Sequence, residues 1–192
     1  MTIPTTFAGR KAMEKEAFKV AQREFAQLGW TLVPLALDRE TILPLNSLLS
    51  LPLLPPQTFL LICLPDAIGY CEATEDAHLI ELKSTHRETF SVRLRDFIAL
   101  LGWEALLVVV NLTTGEVRAE LAARLPAPAK ILVPQKPSNG FDAVALEVVM
   151  DRFPDVPVLV DVPVAAGSAA PFGVWSLSDL QPLSECLGGD RG

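Results

Sequence analysis

Histidine and paired cysteine are what this chain most conspicuously lacks. Only two histidines, His78 and His86, stand in 192 residues, and the three cysteines, Cys63, Cys71 and Cys186, form no CxxC pair. Zinc sites draw on thiolates and imidazoles clustered at short spacing, so the composition argues against one. Cys63 and Cys71 lie in apolar, strand-like runs where free buried thiols are ordinary, and a reducing cytoplasm is the compartment expected. A glycine-rich phosphate loop is missing too, which removes the main support for a small-molecule-binding α/β domain. Residues 1–15 carry no apolar core of signal-peptide type. The longest uncharged stretch, 41–65, is long enough for a bilayer but is broken by Pro44, Pro52, Pro55, Pro56 and Pro65. Prolines remove backbone donors and break helices, so no membrane span is expected.

Positive charge is also scarce. Sixteen Lys and Arg face 23 Asp and Glu, and the net charge of −7 argues against broad, non-specific binding to nucleic acid. One local basic strip survives: Lys83, His86, Arg87, Arg93 and Arg95, interrupted only by Glu88. It is either a phosphate-facing patch or a solvated helix face. Half the residues are hydrophobic and the mean hydropathy is +0.35. That surplus calls for a buried sheet, an oligomer interface or a partner surface.

In chain order, the spacing predicts a helix over 9–28 that stops at Gly29 and carries the apolar stripe Phe18, Ala21, Phe25 and Leu28. One turn further back the stripe reaches Glu14, a carboxylate that needs a partner or ligand if buried and needs none if the frayed helix start leaves it in water. A strand over 30–37 contains Pro34, which marks an edge or bulge. An irregular Leu/Pro-rich insertion over 41–58 packs on the sheet or on a second copy, and 59–64 reads as a buried strand. Two strands, 67–73 and 77–83, flank the turn Thr74-Glu75-Asp76. Period two sets Glu81 and Lys83 on one face, Ile80 and Leu82 on the core side, and Asp66 arrives from the neighbouring approach.

A second helix is predicted over 88–101, with stripe Phe90, Leu94, Phe97, Ile98 and Leu101, flanked by Arg93 and Arg95. The strand over 105–110 then returns parallel to the Glu81 strand by a right-handed crossover, and a turn over 111–115 makes a hairpin with 116–119. Further on, a short helix at 121–124, a short run at 130–133, a helix over 141–153, an edge strand over 156–164, a small-residue loop over 165–173, order at Val174-Trp175-Ser176 and a Ser178 cap complete the reading. The expected division is a core over 1–125 and an extension over 126–192 packed on it. The expected class is α/β: a three-layer core with a central mixed sheet flanked by helices, in the order α-β-β-β-α-β.

That order, with Pro65-Asp66 and Glu81-Leu82-Lys83 at strand ends and Glu14 on the first helix, resembles the core of the PD-(D/E)xK nuclease superfamily, the restriction-endonuclease-like fold, over 9–119. The resemblance implies Mg²⁺ or Mn²⁺ held by Asp66, Glu81, the Leu82 carbonyl and Glu14. It implies that Lys83, its pKa lowered by burial and by the metal, orients or helps deprotonate the attacking water. Ser84, Thr85, Arg87, Arg93 and Arg95 are then the phosphate-side candidates, and the reaction is hydrolysis of DNA phosphodiester bonds in restriction, repair, recombination or mobile-element settings. The acidic charge and the apolar stretch before Pro65 depart from the pattern. They favour a homodimer, a subunit, or DNA presented by a partner protein, and they keep open an inactive nuclease-like fold used for interaction or assembly. The same residues also admit a purely structural reading, with Asp66 as a turn former and Glu81–Lys83 as a surface ion pair worth about 0–1 kcal/mol.

Overall fold

The computed structural model describes residues 7–35, 63–134, 140–160 and 170–188. Its elements run α1 (Phe7–Gln27), β1 (Thr31–Pro34), β2 (Ala67–Cys71), β3 (Asp76–Thr85), β4 (Thr89–Arg93), α2 (Leu94–Gly102), β5 (Leu106–Asn111), β6 (Val117–Leu121), β7 (Lys130–Val133), α3 (Gly140–Arg152), β8 (Val158–Val160), β9 (Phe172–Ser176), β10 (Gln181–Pro182) and α4 (Leu183–Gly188). Two sheets form, one in the order β1-β2-β3-β5-β6-β10 and one in the order β4-β9-β7-β8. The larger is mixed: β3 and β5 are parallel, and its other pairs are antiparallel. This is the α/β architecture expected, a central mixed sheet flanked by helices.

Local sequence explains the layers. The run Leu106-Leu107-Val108-Val109-Val110 is apolar throughout because β5 is central and buried on both faces. Leu106, Val108 and Val110 join Ala17, Ala21 and Phe25 of α1, together with Ile80. Leu107 and Val109 face the opposite way, into a core with Phe97 and Leu100 of α2, Ile131 of β7 and Trp175 of β9. One face of the main sheet is therefore covered by α1, the other by α2, α3 and the smaller sheet. Pro34 lies in β1, at the sheet edge, where a missing donor is tolerated.

The helix expected over 88–101 is corrected. Thr89 to Arg93 form β4, and the helix begins only at Leu94. Phe90 and Val92 are buried while Thr89 and Ser91 are exposed, the alternation of a half-buried strand, and β9 supplies the partner from Thr89↔Ser176 to Arg93↔Phe172. Phe90 thus belongs to a strand rather than to the helical stripe. The cap expected at Ser178 is formed instead by Ser176, whose side chain accepts the Ser178 N–H while Asp179 accepts the Ser176 N–H. The 111–115 hairpin and the edge strand near 156–164 appear as β5–β6 and as β8. The apolar insertion, most of the 59–64 strand, and residues 36–37, 161–169 and 189–192 of the other predicted segments lie outside the described residues. No helix among the described residues is long and apolar enough to cross a membrane.

Candidate active site

The site begins with a proline. Pairing between β2 and β3 starts at Ala67↔Ile80 and runs away from it to Cys71↔Asp76. Carrying that register one step back brings Asp66 beside Glu81, and another step brings Pro65, which has no N–H to offer. The ladder stops there, while β3 stays paired with β5 as far as Thr85↔Asn111. Past Ile80, β3 therefore has, among the described residues, a partner on one side only. The Asp66 carboxylate takes up the slack: its Oδ2 accepts the Leu82 N–H at 2.9 Å. The Asp66 carbonyl accepts the Leu35 N–H, also at 2.9 Å, which ties this corner to the end of β1.

Glu81 and Lys83 share a face of β3, as period two requires, and Lys83 Nζ donates to Glu81 Oε1. Glu81 sits opposite Leu107, on the α2 side of the sheet, and is buried at 7% exposure. The pair is therefore not the solvated surface pair of the structural reading. Burial pushes the Glu81 carboxyl up to about 7, with Lys83 opposing the rise and the Asp66 and Asp96 charges adding to it. Burial alone would pull the Lys83 ammonium down, but Glu81, Asp96 and Asp66 outweigh it and leave it raised. Of the two causes the resemblance implies for a lowered lysine, burial is outweighed by the surrounding carboxylates. Burial first raises Glu81, and three carboxylates around one ammonium, a local surplus of negative charge, raise Lys83, so both hold their protons tightly.

Asp96 does not stand out in the sequence, because a helix over 88–101 places it in mid-helix rather than at a helix start. With β4 ending at Arg93, Asp96 falls in the first turn of α2, where a carboxylate is favoured by the helix dipole. Its Oδ1 accepts from the Cys63 thiol at 3.9 Å and faces Arg95 Nε at 3.5 Å. Burial, then Asp96, push the Cys63 thiol up to about 12, so it remains a neutral donor. Arg95 Nη1 in turn faces Oδ1 of Asp142 on α3 at 3.8 Å.

The remaining candidates are placed less favourably. Glu14 is exposed on α1, and α1 covers the Ile80 face of the sheet rather than the Glu81 face. The inward positions of that helix are Ala17, Ala21 and Phe25; Glu14 continues the same face by spacing but precedes Ala17, where burial of the helix begins, and so it reaches water. Among the described residues no three His, Cys, Asp or Glu side chains gather as a metal cage. Thr85 is buried, and its hydroxyl is engaged in the β3–β4 turn, donating to the Thr89 carbonyl at 2.8 Å and accepting the Arg87 N–H at 3.1 Å. Ser84 is half-buried on β3, and Arg93 is half-buried at the end of β4. Arg87 is exposed beside His86, whose Nδ1 lies 3.3 Å from Thr113 Oγ1. The structure thus brings together Asp66, Glu81, Leu82 and Lys83, adds Asp96, and leaves Glu14 apart.

No protein-family model matches the chain, and no curated protein does. Among solved structures it is similar to Hjc, a Holliday junction resolvase of Archaeoglobus fulgidus, at 14% identity and a TM-score of 0.39 over 58% of this chain and 78% of that one.

Proposed function

We propose that the chain is a metal-dependent nuclease that hydrolyses DNA phosphodiester bonds at the gap between β2 and β3. The observation that carries this reading is the meeting of Asp66, Glu81 and Lys83 where Pro65 ends the strand ladder. A hard divalent ion fits these residues. Mg²⁺ keeps several waters and needs only one or two carboxylates, so Asp66, Glu81 and the Leu82 carbonyl suffice without a three-residue cage. The surplus negative charge around Glu81 supports the same fit, since a cation would replace the proton that burial holds there. When bound, such an ion stabilises charge on the phosphodiester and acidifies a coordinated water.

The chain's own groups divide the remaining work. Asp66 binds through its carboxylate while its Oδ2 stays anchored on the Leu82 N–H. Glu81 binds from the buried side, where β5 and α2 keep bulk water out. Lys83 enters as an ammonium, so at Nζ it donates to, and orients, the attacking water or a phosphate oxygen rather than accepting a proton. Exposed Arg87 is the phosphate-side cation best placed to reach solvent; Arg93 and Ser84 are secondary candidates. A nicking assay on plasmid DNA with Mg²⁺ or Mn²⁺ tests this, comparing wild type with Glu81→Ala and Lys83→Ala. Equal activity in all three proteins, or none under either metal, would count against it.

A second reading, an assembly or interaction subunit, is favoured by Val144 and Val148 on α3 and by Val160 on β8, all apolar and exposed. Light scattering addresses it: a strictly monomeric protein lacking any binding partner would sink the idea.

A further inference from the structure

Four polar groups join the C-terminal part of the chain to the approach of Asp66. Asp142 on α3 faces Arg95 on α2 (Oδ1 to Nη1, 3.8 Å), Arg95 faces Asp96 (Nε to Oδ1, 3.5 Å), and Asp96 accepts from Cys63 (3.9 Å). Cys63 stands three residues before Asp66, in a stretch, 63–66, that belongs to no helix or strand. Within it the Asp66 carbonyl accepts the Leu35 N–H at 2.9 Å, and Pro65 has no donor to offer. Asp66 is nevertheless placed closely enough to meet the Leu82 N–H.

We infer that Asp142 is a positioning residue for the candidate active site, acting through Arg95 and Asp96 to hold the Cys63–Asp66 approach against β3. Its own burial supports this. Asp142 is 3% exposed, and a carboxylate removed from water is retained only where it is compensated. Its place in the first turn of α3 supplies part of that compensation, and the Arg95 guanidinium across the α2–α3 contact supplies more. The guanidinium is a rigid planar fork, with one carboxylate near Nε and another near Nη1 at ion-pair distance. Arg95 thereby becomes a brace between two helices, and Asp96 is held where the Cys63 thiol can donate to it. The carboxylate of α3 thus acts at a distance from the reacting centre and never touches it.

The inference rests on the nuclease reading only in its second readout. The first is alkylation of Cys63 by iodoacetamide, followed peptide by peptide, with Cys71 and Cys186 as internal controls. Asp142→Asn and Arg95→Gln are each expected to speed Cys63 modification roughly fivefold while the other two cysteines keep their rates. Asp142→Glu is expected to restore the slow rate. The second readout is Mn²⁺ affinity by electron paramagnetic resonance, expected to weaken about tenfold in Asp142→Asn, as for other residues that orient a ligand indirectly. Unchanged Cys63 rates in both variants would overturn the inference, and so would equal acceleration of all three cysteines, which marks general loosening. Should Asp142→Asn fail to fold, Arg95→Gln decides alone. If wild type binds no Mn²⁺, the nuclease reading falls while the Cys63 rates still judge the brace.

Discussion

The Asp66 carboxylate accepts the Leu82 N–H at 2.9 Å, just beyond the last pairing of β2 with β3. A single side chain thus does two things. One oxygen closes a strand edge that Pro65 leaves open, and the exposed residue keeps its other oxygen available to a ligand from solvent. The strand ends and the candidate site begin at the same atom.

Substitutions at Asp66 should separate these roles. Asp66→Asn keeps an acceptor for the Leu82 N–H and removes the charge, whereas Asp66→Ala removes both. Urea denaturation is expected to show Asp66→Ala less stable than Asp66→Asn by about 1 kcal/mol, the scale of one lost hydrogen bond at a partly exposed donor. Nicking activity is expected to fall at least about a hundredfold in both, because each lacks the metal-binding charge. Equal stability of the two variants would show that the Leu82 contact has no structural weight.

Glu81 gives a pH dependence with a definite sign. Its carboxyl is raised from 4.5 to about 7 in the folded chain. A raised acid contributes stability that is complete below the unfolded value and is lost as the pH climbs through the folded one. Glu81→Gln has no such proton to lose. The melting temperature of Glu81→Gln minus that of wild type is therefore expected to grow between pH 4.5 and 7 by a few degrees and to level off above pH 8. The raised Lys83 does not alter this, since its ammonium persists throughout that window. A difference that stays flat across the range would refute the assignment.

Lys83 should behave in the opposite way. Three carboxylates share this one ammonium, so removing a carboxylate relieves repulsion and removing the lysine increases it. Lys83→Met is expected to cost about 1–3 kcal/mol at pH 8, less than breaking a fully buried pair because Lys83 is 27% exposed. At pH 5, where Glu81 carries its proton, the cost should shrink. Denaturation midpoints at the two pH values check this, and a larger loss at pH 5 would be the wrong sign.

How much of this was legible in the sequence follows from which interactions are local. The shared face of Glu81 and Lys83 is a matter of strand period, and the parallel β3–β5 pair follows from the crossover rule, so both could be read directly. The stretch from Thr89 to Arg93 could not. Phe90, Leu94 and Phe97 keep helical spacing, and what makes Phe90 and Val92 a strand is pairing with Trp175 and Gly173, far along the chain. The same holds for the burial of Glu81, which depends on α2 and the smaller sheet closing over that face. Asp96 and Asp142 meet through Arg95 only after α2 packs on α3, and no short-range pattern relates them. Glu14 failed for another reason: its spacing continues the face of Ala17, Ala21 and Phe25, but α1 is buried only from Ala17 onward, and how far the sheet covers a helix is not a local property.

The smaller sheet offers the sharpest test of packing, because it fixes the layer behind α2. A Cβ built on Gly173 would stand 2.3 Å from Trp175 Cη2 and 2.4 Å from Cζ3. The indole cannot yield: Trp175 is 0% exposed, its Nε1 donates to the Pro126 carbonyl at 2.9 Å, and its ring packs on Phe90 and Phe97 at 6.0 and 5.2 Å between centroids. At Gly69 the contacts are longer, 2.7 Å from Ile80 Cδ1, the far end of a flexible side chain, and 3.0 Å from Phe25 Cε1. Overpacking a well-filled core costs about 1–3 kcal/mol, and Gly173→Ala is expected at or above the top of that range, with Gly69→Ala near the bottom. Calorimetric melting of the two variants decides it. If Gly69→Ala proved the more damaging, the rigid indole of Trp175 would not be what determines the packing behind α2.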